Sequence, residues 1–348
     1  MRIYINGRFF SESVTGIQKY ALSVLGCMDQ LVKDDLELIL LLPPDTVCST
    51  SFKNIRIEQK GRLHGNLWEQ FELPFFAWNG FLLNLCNRAP LAKKSQTIVI
   101  YDAAICATPE RFSRRFRWFL QGMYYLLGQR LNHIITISIF AKEDICRYFH
   151  IPRQKVSVAY AGSEHIQGIL PENSILQRFQ LNQSAYILSV GGTLNKNFAK
   201  IVAAMPYLSD VEVTLVVVGQ LEDQCRKLLD GIKNVCIVGY VTNEELMALY
   251  TKAKCLVFPS VYEGFGIPPL EAMSMGCPVI VSNRASLPEV CGEAALYCDP
   301  FDEKDIANQI RILLCNEDIV MELKRRGYLQ VKKFSWMDTA EKILRLCH

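Results

Sequence analysis

Thr214-Leu215-Val216-Val217-Val218-Gly219 is apolar at four successive positions, with no polar residue at every second place. A strand with one wet face alternates. A strand covered on both faces does not, and burial of both faces belongs to parallel sheets flanked by helices. Similar β-rich runs follow through the second half of the chain at 185–190, 235–238, 255–258, 279–282 and 295–297. Most of them precede a helical pattern, which is β/α alternation. The first half shows the same alternation: Arg2–Asn6, 36–42, 97–101, 133–138 and 155–159 read as strands, and Gly16–Leu31 as an amphipathic helix between the first two. Periodicity is lost between Gly162 and Asn182, where Gly, Ser, Pro and Asn gather, and then restarts. The expected architecture is two doubly wound α/β domains facing a cleft. Their expected extents are 1–165 and 183–332, with a linker at 166–182 and a C-terminal segment at 333–348.

Composition narrows the function. A chain of 348 residues, half of them hydrophobic, can bury a large core and favours two domains over one. A formal net charge of +3 is small for this length and gives no reason to expect nucleic-acid binding, so any basic surface is local. Thirteen cysteines show neither CxxC pairs nor a Cys/His ligand spacing. They read as free thiols in a reducing compartment. Met1-Arg2-Ile3-Tyr4-Ile5-Asn6 reads as a strand from the first residue, so no secretory leader is expected and a cytoplasmic location is. The apolar stretch 71–85 is interrupted by Glu72, Pro74, Asn79 and Gly80. It falls short of the roughly 20 residues that a bilayer span needs.

The chemistry concentrates in Glu263-Gly264-Phe265-Gly266-Ile267-Pro268-Pro269-Leu270-Glu271. Two glycines and two prolines forbid a continuous helix here. Gly264 and Gly266 let backbone approach a ligand, and the proline pair suits a helix start. Glu263 is therefore expected on a loop and Glu271 in a first helical turn, beside free N–H groups and a positive dipole end able to hold phosphate. Taken alone, Glu271 reads as an ordinary first-turn acid. Each half also has a glycine turn where its first strand should end: Thr15-Gly16-Ile17, and Val190-Gly191-Gly192-Thr193 followed by Asn195-Lys196-Asn197. Lys196 could neutralise a diphosphate or stand as a solvated loop lysine. Tyr101-Asp102 ends an apolar strand, which makes Asp102 either a group that binds or deprotonates an acceptor hydroxyl, or the cap of the following turn. His64, His133, His150 and His165 lack metal-ligand spacing and read as ordinary packing or surface residues, and no metal site is expected. Arg111, Arg114, Arg115 and Arg117, interleaved with Phe112, Phe116, Trp118 and Phe119, make a helix suited either to an anionic membrane surface or simply to solvent.

The ordered set of motifs resembles the retaining, GT-B-fold glycosyltransferases of family 4. The resemblance rests on Phe258 through Val281, which contains the E-x7-E pattern Glu263…Glu271, on Ser286-Leu287-Pro288-Glu289-Val290-Cys291-Gly292, and on Gly191-Gly192-Thr193-Leu194-Asn195-Lys196-Asn197, Thr15-Gly16-Ile17 and Phe334-Ser335-Trp336. It implies Rossmann-like domains, the first binding acceptor and the second a nucleotide diphosphate sugar, and a final helix crossing back onto the first domain. It assigns Glu271 to the ribose, Glu263 to the transferred sugar, the N–H groups of Gly264, Phe265 and Gly266 to sugar and phosphate, and Lys196 to the diphosphate. Gly16, Gly191, Gly192 and Ile267 join the donor side, with Tyr101 and Asp102 on the acceptor side. The implied reaction moves a hexose such as mannose to a lipid-linked or saccharide acceptor in envelope polysaccharide (O-antigen, capsule or lipopolysaccharide) synthesis. No metal cofactor is implied, and a GDP-sugar stands ahead of a UDP-sugar. The family commonly has His-Asp where this chain has Tyr101-Asp102, and often a second basic residue where Thr193 or Asn195 stands. Rival readings are a nucleotide-sugar epimerase or a phosphorylase, and a catalytically silent nucleotide-sugar binder that scaffolds polysaccharide assembly.

Overall fold

The computed structural model describes every residue except Val14, Asp34, Gln167, Gly168, Leu194, Asn195, Lys233 and His348. The chain divides into two compact units, Met1–Ala161 with Ser335–His348, and Gly162–Phe334.

Unit 1 carries seven strands among the described residues: β1 Arg2–Asn6, β2 Glu37–Leu42, β3 Arg56–Gln59, β4 Phe81–Asn84, β5 Gln96–Val99, β6 Ile134–Thr136 and β7 Val156–Val158. Their order is β3-β2-β1-β4-β5-β6-β7, and every pairing is parallel. Two of these strands are absent from the sequence expectation. β3 is a polar edge strand. β4 lies inside the interrupted apolar stretch and pairs Phe81, Leu82 and Leu83 with Ile3, Tyr4 and Ile5. Gly80 permits that pairing, because a Cβ there would come within 2.8 Å of the Arg2 carbonyl oxygen.

Helix α1, Gly16–Leu31, starts at a capping box in which Thr15 and Gln18 satisfy each other's backbone. It buries Tyr20, Ala21, Val24, Leu25 and Met28, the one-sided stripe its spacing specifies. A second long helix, α2, spans Arg114–Arg130 and is capped by Ser113. Unit 1 is completed from far along the chain. In the helix Trp336–Arg345, the buried Trp336 ring meets Tyr20 edge-on at 5.2 Å, and Ala340 and Ile343 are fully buried. Burial of this kind contributes roughly 1.5–3 kcal/mol per large apolar side chain.

Unit 2 carries six strands among the described residues: β8 Tyr186–Gly192, β9 Thr214–Leu221, β10 Val235–Gly239, β11 Cys255–Phe258, β12 Val279–Ser282 and β13 Ala295–Cys298. Their order is β10-β9-β8-β11-β12-β13, again parallel throughout. The quoted Thr214–Gly219 run is β9, buried from Leu215 to Val218 between neighbours on both sides. The expected linker at 166–182 is not one. It includes helix α3, Ser174–Arg178, whose Ile175 and Leu176 are buried, and it belongs to unit 2. Unit 2 also contains α4 Phe198–Ala204, α5 Asn243–Lys252 and α6 Ile267–Ser274, and the helix Trp336–Arg345 of unit 1 is α7.

Candidate functional site

In the second sheet the strand order reverses between β8 and β11. Loops leaving the carboxyl ends of two such strands run in opposite directions, and the crevice they leave is where open α/β sheets bind ligands. Gly191 and Gly192 end β8 and lead to Lys196. β11 leads through Pro259 to Glu263 and on to α6. The two segments named by sequence thus flank one crevice within unit 2.

The Lys196 ammonium lies 2.5 Å from Glu263 Oε1 and 4.7 Å from the Phe258 ring centroid, so it is held by a carboxylate and an aromatic face together. Ser260 Oγ donates to the same Glu263 oxygen at 2.9 Å. Ser286 Oγ sits 2.9 Å from the Glu263 carbonyl and 2.8 Å from that of Phe265, and Ser282 Oγ donates to the Ser260 carbonyl at 2.5 Å. These serines brace the loop. Sequence reasoning passed over them because serine between two strands is also ordinary turn chemistry.

Gly266 adopts φ +104°, and a Cβ there would fall 2.7 Å from Leu287 Cδ2, so both conformation and space demand glycine. Phe265 is buried edge-on to Phe334. Pro268 and Pro269 occupy the second and third positions of α6 and supply no N–H. The start of α6 therefore lacks two of the N–H groups that a helix N-terminus ordinarily offers. Gly191 has φ +91°, and a Cβ on Gly192 would meet Leu221 Cδ1 at 2.3 Å. Asn195 lies outside the described residues. Asn197 is left-handed, and its amide donates to the Pro259 and Pro300 carbonyls at 3.0 and 2.7 Å, clamping the loops that follow β11 and β13.

Glu271 departs from expectation. It is the fifth residue of α6 and lies beyond the first turn, only 2% exposed. His165 Nε2 is 2.9 Å from Oε1, and the Tyr250 hydroxyl, carried on α5, donates to Oε2 at 3.2 Å. Burial, and next the Glu271 charge, hold the Tyr250 phenol well above its ordinary range, so it remains a donor. His165 was dismissed as ordinary. Nothing local marks a partner 106 residues away.

In unit 1 the order reverses between β1 and β4. A cavity of about 290 Å³ opens there, its wall including Arg8, Glu12, Gln18, Arg88, Asp102 and Tyr124. Asp102 Oδ1 accepts from the Ala104 N–H at 2.9 Å, so it caps its turn and lines the cavity as well. Tyr101 is corrected to a packing residue. Its hydroxyl is spent on the Leu85 and Ile17 carbonyls at 2.9 and 3.0 Å, and its ring meets Tyr20 edge-on. Gly16 opens α1, and a Cβ there would touch nothing within 4 Å, so internal packing gives no reason for glycine. The buried Arg8 is a residue that sequence reasoning missed. It pairs with Glu12 at 2.8 Å and with Glu69 at 3.3 Å, and Glu69 also accepts from Asn6 at 2.8 Å. Burial pushes the Glu69 carboxyl up, against the opposing pull of Arg8. The available signal was position, one residue beyond Gly7 at the end of the first strand. Among the described residues no group of three His, Cys, Asp or Glu side chains is placed to hold a metal ion.

Residues 173–330 match the family model described as glycosyl transferases group 1. O-antigen chain mannosyltransferase B of Escherichia coli is 34% identical over 251 residues, covering 68% of this chain and 65% of that protein. Serotype-specific mannosyltransferase WbdA, also of Escherichia coli, is 30% identical over 369 residues, covering 97% of this chain but 43% of that protein. The chain thus spans less than two thirds of the length of these curated relatives. Among solved structures, sucrose-phosphate synthase from Thermosynechococcus elongatus superposes with a TM-score of 0.77 at 19% identity, over 99% of this chain and 98% of that one. That likeness establishes the shared fold.

Proposed function

The chain carries a domain of the group 1 glycosyl transferases, residues 173–330, and from this premise we propose that it is a retaining hexosyltransferase of envelope polysaccharide synthesis. It takes a nucleotide diphosphate sugar as donor, with GDP-mannose ahead of UDP-sugars, and a lipid-linked or saccharide acceptor. Mannose is favoured by the mannosyltransferase names of the relatives. The carrying observation is the Lys196–Glu263 pair at the β8/β11 reversal, beside the glycine corner at 264–266.

A diphosphate entering this corner exchanges partners with the pair. Lys196 turns from Glu263 to phosphate oxygens and Glu263 is released to sugar hydroxyls, while the N–H groups of Gly264 to Ile267 face the sugar and its phosphate. Charge grows on the leaving diphosphate as the bond from the anomeric carbon breaks, and Lys196 stabilises it most where water is excluded. The acceptor oxygen bonds to the same face of that carbon, and its proton passes to the departing phosphate oxygen. Retention follows without a protein nucleophile. Glu271 accepts from the ribose in place of His165, whose side chain is partly accessible while Tyr250 is buried. The cavity of unit 1, with Arg8 and Arg88 for an anion and Asp102 for a hydroxyl, suits the acceptor.

The test is turnover. Purified chain with GDP-mannose and acceptor yields free GDP and a longer glycan. An isomerised donor would mean an epimerase, and binding with no product a silent scaffold. Thermal shift across GDP- and UDP-sugars identifies the donor, because a true ligand raises the unfolding temperature by mass action. Near-normal turnover by Lys196→Ala overturns the assignment of the site.

A further inference from the structure

A helical segment of unit 1 that lies outside the chemistry above is apolar on both faces. It runs as Gly65–Leu67, a π-turn Trp68–Glu72, and Leu73–Phe76. Trp68, Glu69, Leu73 and Ala77 point inward. Leu67, Phe71, Phe75 and Trp78 point outward, the last three 69%, 74% and 75% exposed. α2 repeats the arrangement. Leu120, Met123, Tyr124 and Leu127 are buried, while Trp118 (79% exposed), Phe119, Tyr125 and Leu126 share the outer face with Arg114 and Arg115. Single exposed apolar residues are normal in proteins, but clustered aromatic ones mark an interaction site.

The two elements are fastened to one loop, 87–91. Gln70, on the first segment, accepts from the Leu91 N–H and donates to the Ala89 carbonyl. The hydroxyl of Tyr124, on α2, donates to the carbonyl of Asn87 on the same loop. Arg88 bridges them, donating to Asn66 at 2.6 Å with its guanidinium 5.8 Å from the Phe116 ring centroid. Charge singles out the region as well. From Lys60 to Arg130 there are ten Lys and Arg against four Asp and Glu, an excess of six in a chain whose net charge is +3. Of the four acids, Glu69 is buried, and Glu72 accepts from the Arg62 and Leu63 N–H groups.

Indole and phenyl rings bordered by arginines match the boundary between headgroups and acyl chains, where aromatic side chains settle and anionic phosphates wait for cations. We propose that unit 1 docks on an anionic lipid bilayer through both faces as one surface, with Phe71, Phe75 and Trp78 inserting and the arginines of α2 meeting lipid phosphates. This goes beyond the transferase reading and beyond α2, the helix marked out by sequence. It would also place Arg88, which lines the acceptor-side cavity, at the edge of the docked surface.

Co-sedimentation of the full chain with phosphatidylglycerol/phosphatidylethanolamine vesicles, and with phosphatidylcholine vesicles, tests it. Binding is expected to the anionic vesicles. The triple variant Phe71→Ser, Phe75→Ser, Trp78→Ser should weaken it by about tenfold or more, since insertion strength follows buried apolar area. Arg114→Gln with Arg115→Gln should remove the salt-sensitive part of binding. An unchanged thermal transition in each variant shows that the fold is intact, and retained stabilisation by GDP-mannose shows that the donor site in unit 2 is intact. Undiminished vesicle binding by the triple variant overturns the proposal, as does equal binding to phosphatidylcholine. A lipid-free dimer that the triple variant abolishes would assign the face to a second copy of the chain instead.

Discussion

Substitutions at Asn197 distinguish a clamp from a ligand contact. The residue is held at φ +58° and donates through one amide to two carbonyls, those of Pro259 and Pro300, at 3.0 and 2.7 Å. Each bond contributes about 0.5–1.5 kcal/mol net. A left-handed backbone costs a residue with a Cβ and no locally bonding side chain about 1–2 kcal/mol, and costs glycine almost nothing. Asn197→Ala loses both bonds and incurs the backbone strain, roughly 2–5 kcal/mol in all. Asn197→Gly loses only the bonds, roughly 1–3 kcal/mol. Differential scanning calorimetry should show the transition of unit 2 lowered by roughly 4–20 °C in the alanine variant, taking about 2–4 °C per kcal/mol for a unit of this size. The glycine variant should fall between alanine and the native chain. Glycine as damaging as alanine, or neither variant shifting the transition, refutes the clamp.

At the reacting centre, Lys196→Ala is expected to lower turnover by about 10²–10³-fold with little change in melting temperature, the size of effect seen when one preorganised charge-stabilising group is removed. Initial-rate kinetics at saturating donor measure it. Tyr250→Phe takes a donor from the buried Glu271 carboxylate and should cost about 1–3 kcal/mol in urea unfolding, whereas an unchanged midpoint would mean that the hydroxyl does not hold Glu271. Burial pushes the thiols of Cys277, Cys291 and Cys298 up from 9.0 to about 12. Because each folded value lies above the unfolded one, their contribution to stability is whole below pH 9 and is lost as pH climbs toward 12. The melting temperature of unit 2 should fall over that window, and at pH 8 a thiol reagent should label the exposed Cys315 while sparing these three until unfolding.

What the sequence disclosed and what it hid divide along physical lines. Strands buried on both faces announce themselves, so β8, β9, β11 and β12 were readable directly. β3 was not, because Arg-Ile-Glu-Gln has no apolar run. It is preceded by a loop fastened by Asp29, whose carboxylate accepts from the Lys53, Asn54 and Ile55 N–H groups, a long-range anchor with no local signature. β4 was lost inside an apolar stretch weighed only as a membrane span. At the candidate site, glycine and proline betrayed the corner at 264–269 because they restrict the backbone locally. The partners of Glu271 could not be read, because His165 and Tyr250 reach it only through tertiary packing. Tyr101 misled for the same reason. A polar tip at a strand end looks available until its hydrogen-bond partners are known.

The joining of α7 to unit 1 bears on how the chain is made. Tyr20 receives the Trp336 ring, and Thr339 Oγ1 donates to the Tyr160 carbonyl, yet residues 162–334 are translated between those partners. At about 5–20 residues per second, a ribosome needs roughly 10–35 s to cover that interval. Through that time the flank of α1 that Trp336 covers is bare on the nascent chain, and unit 1 can be completed only after all of unit 2 has been synthesised.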